Sequence, residues 1–153
     1  MKIGNFCVII ASMFVEREIL PEKHGVVFAL WDGKHIQLEK RLAGNFEGFV
    51  IIPGGGVEEG ESPDTAEFRE IYEEYRVLLK RSTYLGSYTE EGPNLINTRY
   101  VFLVTEWGGK LSNPENKNEH IEATLDEAFK ICKNPLTQIF LNMVQKEILS
   151  RQN

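Results

Sequence analysis

The residues predict an α/β (α+β) domain in which a mixed sheet is covered by helices on both faces. Three observations lead there. Short apolar segments bounded by turn residues recur through the first two thirds of the chain, an acidic amphipathic helix interrupts them, and two helical patterns follow the last of them. The 153 residues, 42% apolar and 26% charged, fit one ordinary domain with a real core, so 1–153 is expected to be a single unit.

Taken in order, Phe6 to Val15 is a ten-residue apolar run behind Lys2. It is too short to span a bilayer, has no credible cleavage site and meets Glu16-Arg17-Glu18 at once, so it reads as a buried or pairing strand, and the chain as cytoplasmic with no membrane partner. Val26, Phe28 and Leu30 alternate before Asp32-Gly33, and His35 to Arg41 follows, the pattern of a β-hairpin. Residues 42–48 make a glycine-bearing loop, and Phe49 to Ile52 form a short strand that runs into Pro53-Gly54-Gly55-Gly56. Such glycines let the backbone take positive φ and approach a ligand closely.

Ser62 as N-cap, Pro63 at the first helical position and Asp64 in the first turn start a helix at about residue 63. At about 100° per residue from Ala66, Glu73, Glu70 and Glu74 share one arc about 100° wide. Phe68, Ile71, Tyr72, Tyr75 and Leu78 form the apolar stripe opposite. Like charges at these spacings repel, and a divalent cation is the simplest compensation, because hard cations take oxygen ligands. Glu58, Glu59, Asp64 and Glu67 read as a solvated face. Two strands, Ser82 to Thr89 and Thr98 to Thr105, flank a loop at 90–97; a polar loop spans 112–118. Helices are expected over Leu125 to Lys133 and Leu136 to Leu149, the second presenting Ile139, Phe140, Met143, Val144 and Ile148 on one face.

Charge is distributed unevenly. Residues 58–74 carry eight acids and one base, net −7 against −6 for the whole chain, so everything outside that window sums to +1. The acidity is local, and a net-negative chain has no electrostatic footprint for a nucleic acid polymer. Cys7 and Cys132 lack metal spacing and read as buried free thiols.

Through Gly55, Glu61, Arg69, Glu70, Ile71, Glu73, Glu74 and Val77, residues 55–77 resemble the Nudix box, G-x5-E-x7-R-E-U-x-E-E-x-G-U with U apolar. Arg76 stands where that pattern has glycine; either the helix runs on towards Lys80, or Arg76 ends it at some cost in strain. The resemblance implies a three-layer α/β/α sandwich with a mixed central sheet over about 25–150, preceded by the extra strand within 1–24. An uncovered apolar edge strand could be sheltered by a second copy, so a homodimer is one expectation.

The resemblance also implies Mg²⁺-dependent hydrolysis of a diphosphate linkage in a nucleoside diphosphate derivative, with Mn²⁺ expected to substitute. Glu70, Glu73, Glu74 and the Gly55 carbonyl would bind the ion, Arg69 would hold the carboxylates, and Glu61 would anchor Arg69. Arg41 and the backbone of Gly54, Gly55 and Gly56 would meet phosphate. Glu119 is the expected general base, with Glu122 the alternative, and Phe46, Phe49 or Tyr88 could stack on a base. Lys40-Arg41 with the glycine run resembles MutT-like members acting on nucleoside triphosphates, including oxidised ones. Pro93 resembles a marker of ADP-ribose pyrophosphatases and supplies the second reading. A non-catalytic nucleotide-sensing domain and RNA cap removal stand behind these; the retained acids weigh against the first and the absent basic patch against the second.

Overall fold

The computed structural model describes residues 19–153. The strand expected at residues 6–15, Cys7 and the dimer argument built on that strand lie outside them. In chain order the elements are β1 (Glu22–Leu30), β2 (Ile36–Arg41), β3 (Val50–Ile51), β4 (Gly54–Gly56), α1 (Pro63–Tyr75), β5 (Leu78–Glu91), β6 (Ile96–Gly108), β7 (Asn118–Ala123), α2 (Leu125–Ile131) and α3 (Pro135–Arg151). Among the described residues no helix is long and apolar enough to cross a membrane.

Val26, Phe28 and Leu30 of β1 pack with Ala66, Ile71 and Tyr75 of α1. The alternate residues Val27 and Ala29 pack with Phe140, Leu141 and Val144 of α3. Period-two alternation thus puts apolar side chains on both faces of one strand, which is why β1 reads as nearly continuous hydrophobic sequence and why helices cover it on either side. Cys132 is a buried free thiol in the α3 layer, as expected.

The hairpin expected between β1 and β2 does not form. The turn is present, with Asp32 Oδ1 accepting from Lys34 and His35 N–H at 2.9 and 2.7 Å and Gly33 at φ 102°. However, both edges of β1 are taken, by β6 in parallel and β4 antiparallel, in a sheet ordered β4-β1-β6-β5. β2 joins a second sheet, β3-β2-β7, and the ladder between the two segments is reduced to an isolated Trp31–Ile36 bridge beyond the end of β1. The hairpin β5–β6 is longer than expected at both ends and carries register shifts near Leu79, Arg81 and Gly86, the last at φ 133°. β4 and β7 were not expected as strands at all: one is three glycines, the other a polar run flanking acids.

The start of α1 is as expected, with the Ser62 hydroxyl accepting from Thr65 N–H at 3.2 Å. Its end settles the alternative at Arg76, which caps the helix at φ 54°, ψ 35°, its N–H donating to Tyr72 O at 2.9 Å and its guanidinium 5.1 Å above the Tyr72 ring. The helix is also rolled from the expected orientation. Ala66, Glu67, Ile71 and Tyr75 are buried, whereas Phe68 and Tyr72, and Leu78 beyond the helix, are exposed. On the 100° wheel the buried arc runs from Ala66 to Tyr75 through Glu70, Glu74, Glu67 and Ile71, so the acids lie within the packed face and not opposite it. Glu67, read from sequence as solvated, is 2% exposed and accepts from Ser82 Oγ at 2.5 Å.

Burial pushes the Glu67 carboxyl up to about 7, outweighing the Ser82 hydrogen bond. The folded state therefore holds this proton more tightly than the unfolded chain, and stability drains as pH rises from the usual carboxylate value towards 7, by roughly 3 kcal/mol at most. Glu67→Gln is expected to be more stable than the unaltered chain at pH 8, with the gap closing at pH 4; urea denaturation at the two values measures it, and a gap that does not narrow on acidification counts against a proton bound there.

Candidate active site

The site is built where α1 crosses β4. Gly54, Gly55 and Gly56 pair with Val27, Val26 and Gly25 of β1, and none of the three adopts positive φ. Their need for glycine is steric. A Cβ on Gly54 would sit 2.2 Å from the Val26 carbonyl oxygen, and one on Gly55 would sit 2.0 Å from the Glu70 carboxyl carbon. Glu70 thus occupies the space a side chain at position 55 would fill.

Arg69 ties the acids to this frame. Its Nε and Nη2 donate to Glu61 Oε2 and Oε1 at 2.8 and 2.9 Å, its Nη1 donates to Glu70 Oε1 at 2.8 Å and Glu73 Oε2 at 3.3 Å, and Nη2 also donates to Gly56 O at 2.8 Å. The two-pronged contact with Arg69, helped by Glu58 N–H, holds the Glu61 carboxyl down at about 2, and the same bonds raise Arg69 further above its ordinary value. Glu70 moves the other way, because burial outweighs its bond to Arg69.

Deeper in, Glu74 meets two residues the sequence reading did not select, Glu39 of β2 and His120 of β7; one ligand atom from each lies within 4.8 Å of the others. Burial, then the charge of Glu39, pushes Glu74 up to about 9; burial also raises Glu39 and lowers His120. At neutral pH the two carboxyls therefore keep a proton between them. Glu74 Oε2 has no hydrogen-bond donor among the described residues, and neither has the hydroxyl of Tyr75 an acceptor or donor. An orphaned carboxylate oxygen, a buried acid pair and the cradle at Gly55 fit a divalent cation. Glu70, Glu73 and Glu74 line one cleft, but among the described residues it is Glu39, Glu74 and His120 that bring three ligand atoms within 4.8 Å of one another here.

These groups line a cleft of about 560 Å³ with Arg41, Asn113, Glu115, Lys117 and Asn118. Arg41 stands at its junction with a recess of about 360 Å³ that includes Gly54–Gly56, Phe46, Leu95, Arg99, Leu136 and Phe140. Arg41 is positioned by its own contacts, Nε to Asn45 O at 3.3 Å and Nη1 to Glu39 Oε1 at 3.6 Å. Of the candidate stacking aromatics, Phe46 lines the recess, Phe49 is exposed outside it, and Tyr88 packs edge-on against Phe140.

The structure does not bring Glu119 to the cleft. It pairs with Lys40 in the β2–β7 ladder, one position from the Glu39–His120 pair, and strand alternation sends it to the opposite face. Glu122 pairs instead with His35, Oε1 to Nδ1 at 3.1 Å. The acid that lines the cleft from this side is Glu115, beside Lys117 Nζ at 3.1 Å. Glu39 could have been found: it lies two residues before Arg41 on one strand, hence on the same face as a residue already chosen. Nothing in the sequence marks Glu115 within the loop read at 112–118, or His120 once no strand is read over residues 119–123.

The NUDIX domain profile matches residues 22–141. The 8-oxo-dGTP diphosphatase of Proteus vulgaris is 31% identical over 101 residues, 66% of this chain and 83% of that protein. The mouse diphosphoinositol polyphosphate phosphohydrolase 3-alpha is 44% identical over 103 residues, 62% of this chain and 60% of that protein. Among solved structures, the MutT NUDIX hydrolase from Burkholderia pseudomallei superposes with a TM-score of 0.69 at 25% identity, covering 80% of this chain and 98% of that one. A profile spanning both sheets, a relative matched over most of its length and a shared mixed α/β architecture point the same way: the chain belongs to the NUDIX family and is a Nudix hydrolase.

Proposed function

We propose that this hydrolase cleaves a diphosphate linkage in a small nucleotide, with a nucleoside triphosphate, including oxidised forms, as the favoured substrate and a monophosphate and pyrophosphate as products. The observation that carries this reading is that the acid cleft and the recess adjoin, sharing Glu39 and Arg41 in their walls, which gives one molecule room for its phosphates and its base. The similarity to a protein named as an 8-oxo-dGTP diphosphatase supports the triphosphate reading.

The proposed cation is Mg²⁺, replaceable by Mn²⁺, held by Glu70, Glu73, Glu74 and the Gly55 carbonyl; when bound it neutralises charge on the phosphate oxygens and makes water more acidic. Arg69, anchored by Glu61, orients Glu70 and Glu73. Arg41 and the backbone of Gly54–Gly56 receive the phosphates, and Phe46 offers a face to the base. For the general base the geometry favours Glu115, which lines the cleft, over Glu119, which faces away. Its carboxylate takes the proton as the water oxygen bonds to phosphorus and the bridging P–O bond breaks. A second reading, ADP-ribose hydrolysis, is favoured by Pro93, which sits in the β5–β6 turn just before Leu95 of the recess.

A panel of nucleoside triphosphates, 8-oxo-dGTP, ADP-ribose and a diphosphoinositol polyphosphate, scored for products with Mg²⁺ and with chelator, tests this directly. Pyrophosphate and a nucleoside monophosphate are expected as the fastest products, and only with metal; faster release of ribose 5-phosphate and AMP selects the second reading, and binding without turnover of any substrate would show a sensing domain. Within the active protein, Glu115→Gln is expected to lower kcat by about 100-fold or more, the larger loss of the two when set beside Glu119→Gln, and the reverse order would move the base to Glu119.

A further inference from the structure

Below the acids that the Nudix box supplies, Glu39, Glu74 and His120 come from three different elements and converge to within 4.8 Å, ligand atom to ligand atom. Glu39 and His120 are directly opposed in the antiparallel β2–β7 ladder, so backbone hydrogen bonds and not loop conformation set their approach. Glu39 is 1% exposed, with Arg41 Nη1 3.6 Å from Oε1, which leaves carboxylate lone pairs free.

A cluster of two acids and an imidazole could be no more than a proton-sharing pair beside a packed ring. The Tyr75 hydroxyl argues otherwise. Tyr75 is 0% exposed and its ring lies 4.5 Å from that of His120, yet its hydroxyl has no hydrogen-bond partner among the described residues. Glu74 Oε2 is equally without one. An unpartnered buried hydroxyl packed against the imidazole and an unpartnered oxygen on one of the two acids mark a missing ligand, since buried polar groups without partners are rare.

We propose that Glu39, Glu74 and His120 form an inner cation position, with the Tyr75 hydroxyl hydrogen-bonding a water on the bound ion. The ligand set decides which ion. Magnesium seeks an octahedron of oxygens and keeps its waters, whereas an imidazole nitrogen between two carboxylates suits a borderline divalent ion of the Mn²⁺, Co²⁺ or Zn²⁺ class. The position sits under the site read above as metal-dependent and rests on that reading. It gives this chain a reason to bind Mn²⁺ more tightly than Mg²⁺.

The test loads the full chain with one equivalent of Mn²⁺ and records electron spin-echo modulation, which reports nitrogen bound to the metal. Nitrogen-14 modulation is expected, to be replaced by the nitrogen-15 pattern when the unaltered chain is grown on ¹⁵N-histidine, a readout that needs no substitution to fold. His120→Ala should remove it and His35→Ala should keep it. In calorimetry, Glu39→Gln should weaken Mn²⁺ by about tenfold or more while changing Mg²⁺ affinity less. Bound Mn²⁺ without nitrogen coupling, coupling that survives His120→Ala, or equal affinity for the two metals would overturn the inference. Mg²⁺-supported nucleotide hydrolysis, measured on the same samples, reports separately on the proposed function: turnover without nitrogen coupling sinks the inner site alone, and coupling without turnover sinks the hydrolysis reading.

Discussion

The close approach of the Glu70 carboxyl to Gly55 is the constraint on which the site depends. A Cβ at position 55 would lie 2.0 Å from the Glu70 carboxyl carbon, so the carboxyl keeps its place over β4 only while position 55 is glycine. With Glu70 in that place, Arg69 reaches Gly56 O, Glu61, Glu70 and Glu73 together. One guanidinium then spreads its donors across five oxygens of four residues, and Glu61, Glu70 and Glu73 are held in place by it. Preorganisation of this kind matters because the alternative, gathering mobile glutamates around a cation, costs side-chain entropy for each.

The same geometry explains how one helix can be both a packing element and a catalytic one. Ala66, Ile71 and Tyr75 anchor α1 on β1 and β6, while Glu67, Glu70 and Glu74 share the arc between them. Three carboxyls buried to different depths behave differently: Glu61 at the rim is held low by Arg69, Glu67 is raised to about 7, and Glu74, facing Glu39, is raised to about 9. A fold that tolerates so much desolvated acid has to be compensated locally, by Arg69, by Ser82 and at Glu74 by a cation or a proton.

Much of this was legible in the sequence, and what was not has physical causes. The helix start was written in Ser62, Pro63 and Asp64, and the trio Glu70, Glu73 and Glu74 in their spacing, because capping and helical periodicity are local. The roll of α1 was not legible: Phe68 and Tyr72 outweigh Ala66 in hydrophobicity, yet tertiary packing chose the small residue that lets the helix approach the sheet. Pairing partners were equally hidden. β1 and β2 carry a hairpin's alternation and turn but find their neighbours in β6 and β7, a choice made by contacts distant in sequence. Glu115 lay in the loop read at 112–118 and His120 in a stretch given no strand, so neither was selected, and one residue of register separates the expected Glu119 from the face that lines the cleft.

The measurement that bears most directly on this account is Mg²⁺ binding by Gly55→Ala, followed by calorimetry beside the unaltered chain with thermal unfolding as a check on the fold. A methyl at position 55 has to displace Glu70 and with it the Arg69 bond, so a folded variant that has lost most of its Mg²⁺ affinity is the expected result. A folded variant that binds Mg²⁺ as tightly as the unaltered chain would contradict it, and would mean that the placing of Glu70 does not depend on the gap above that glycine.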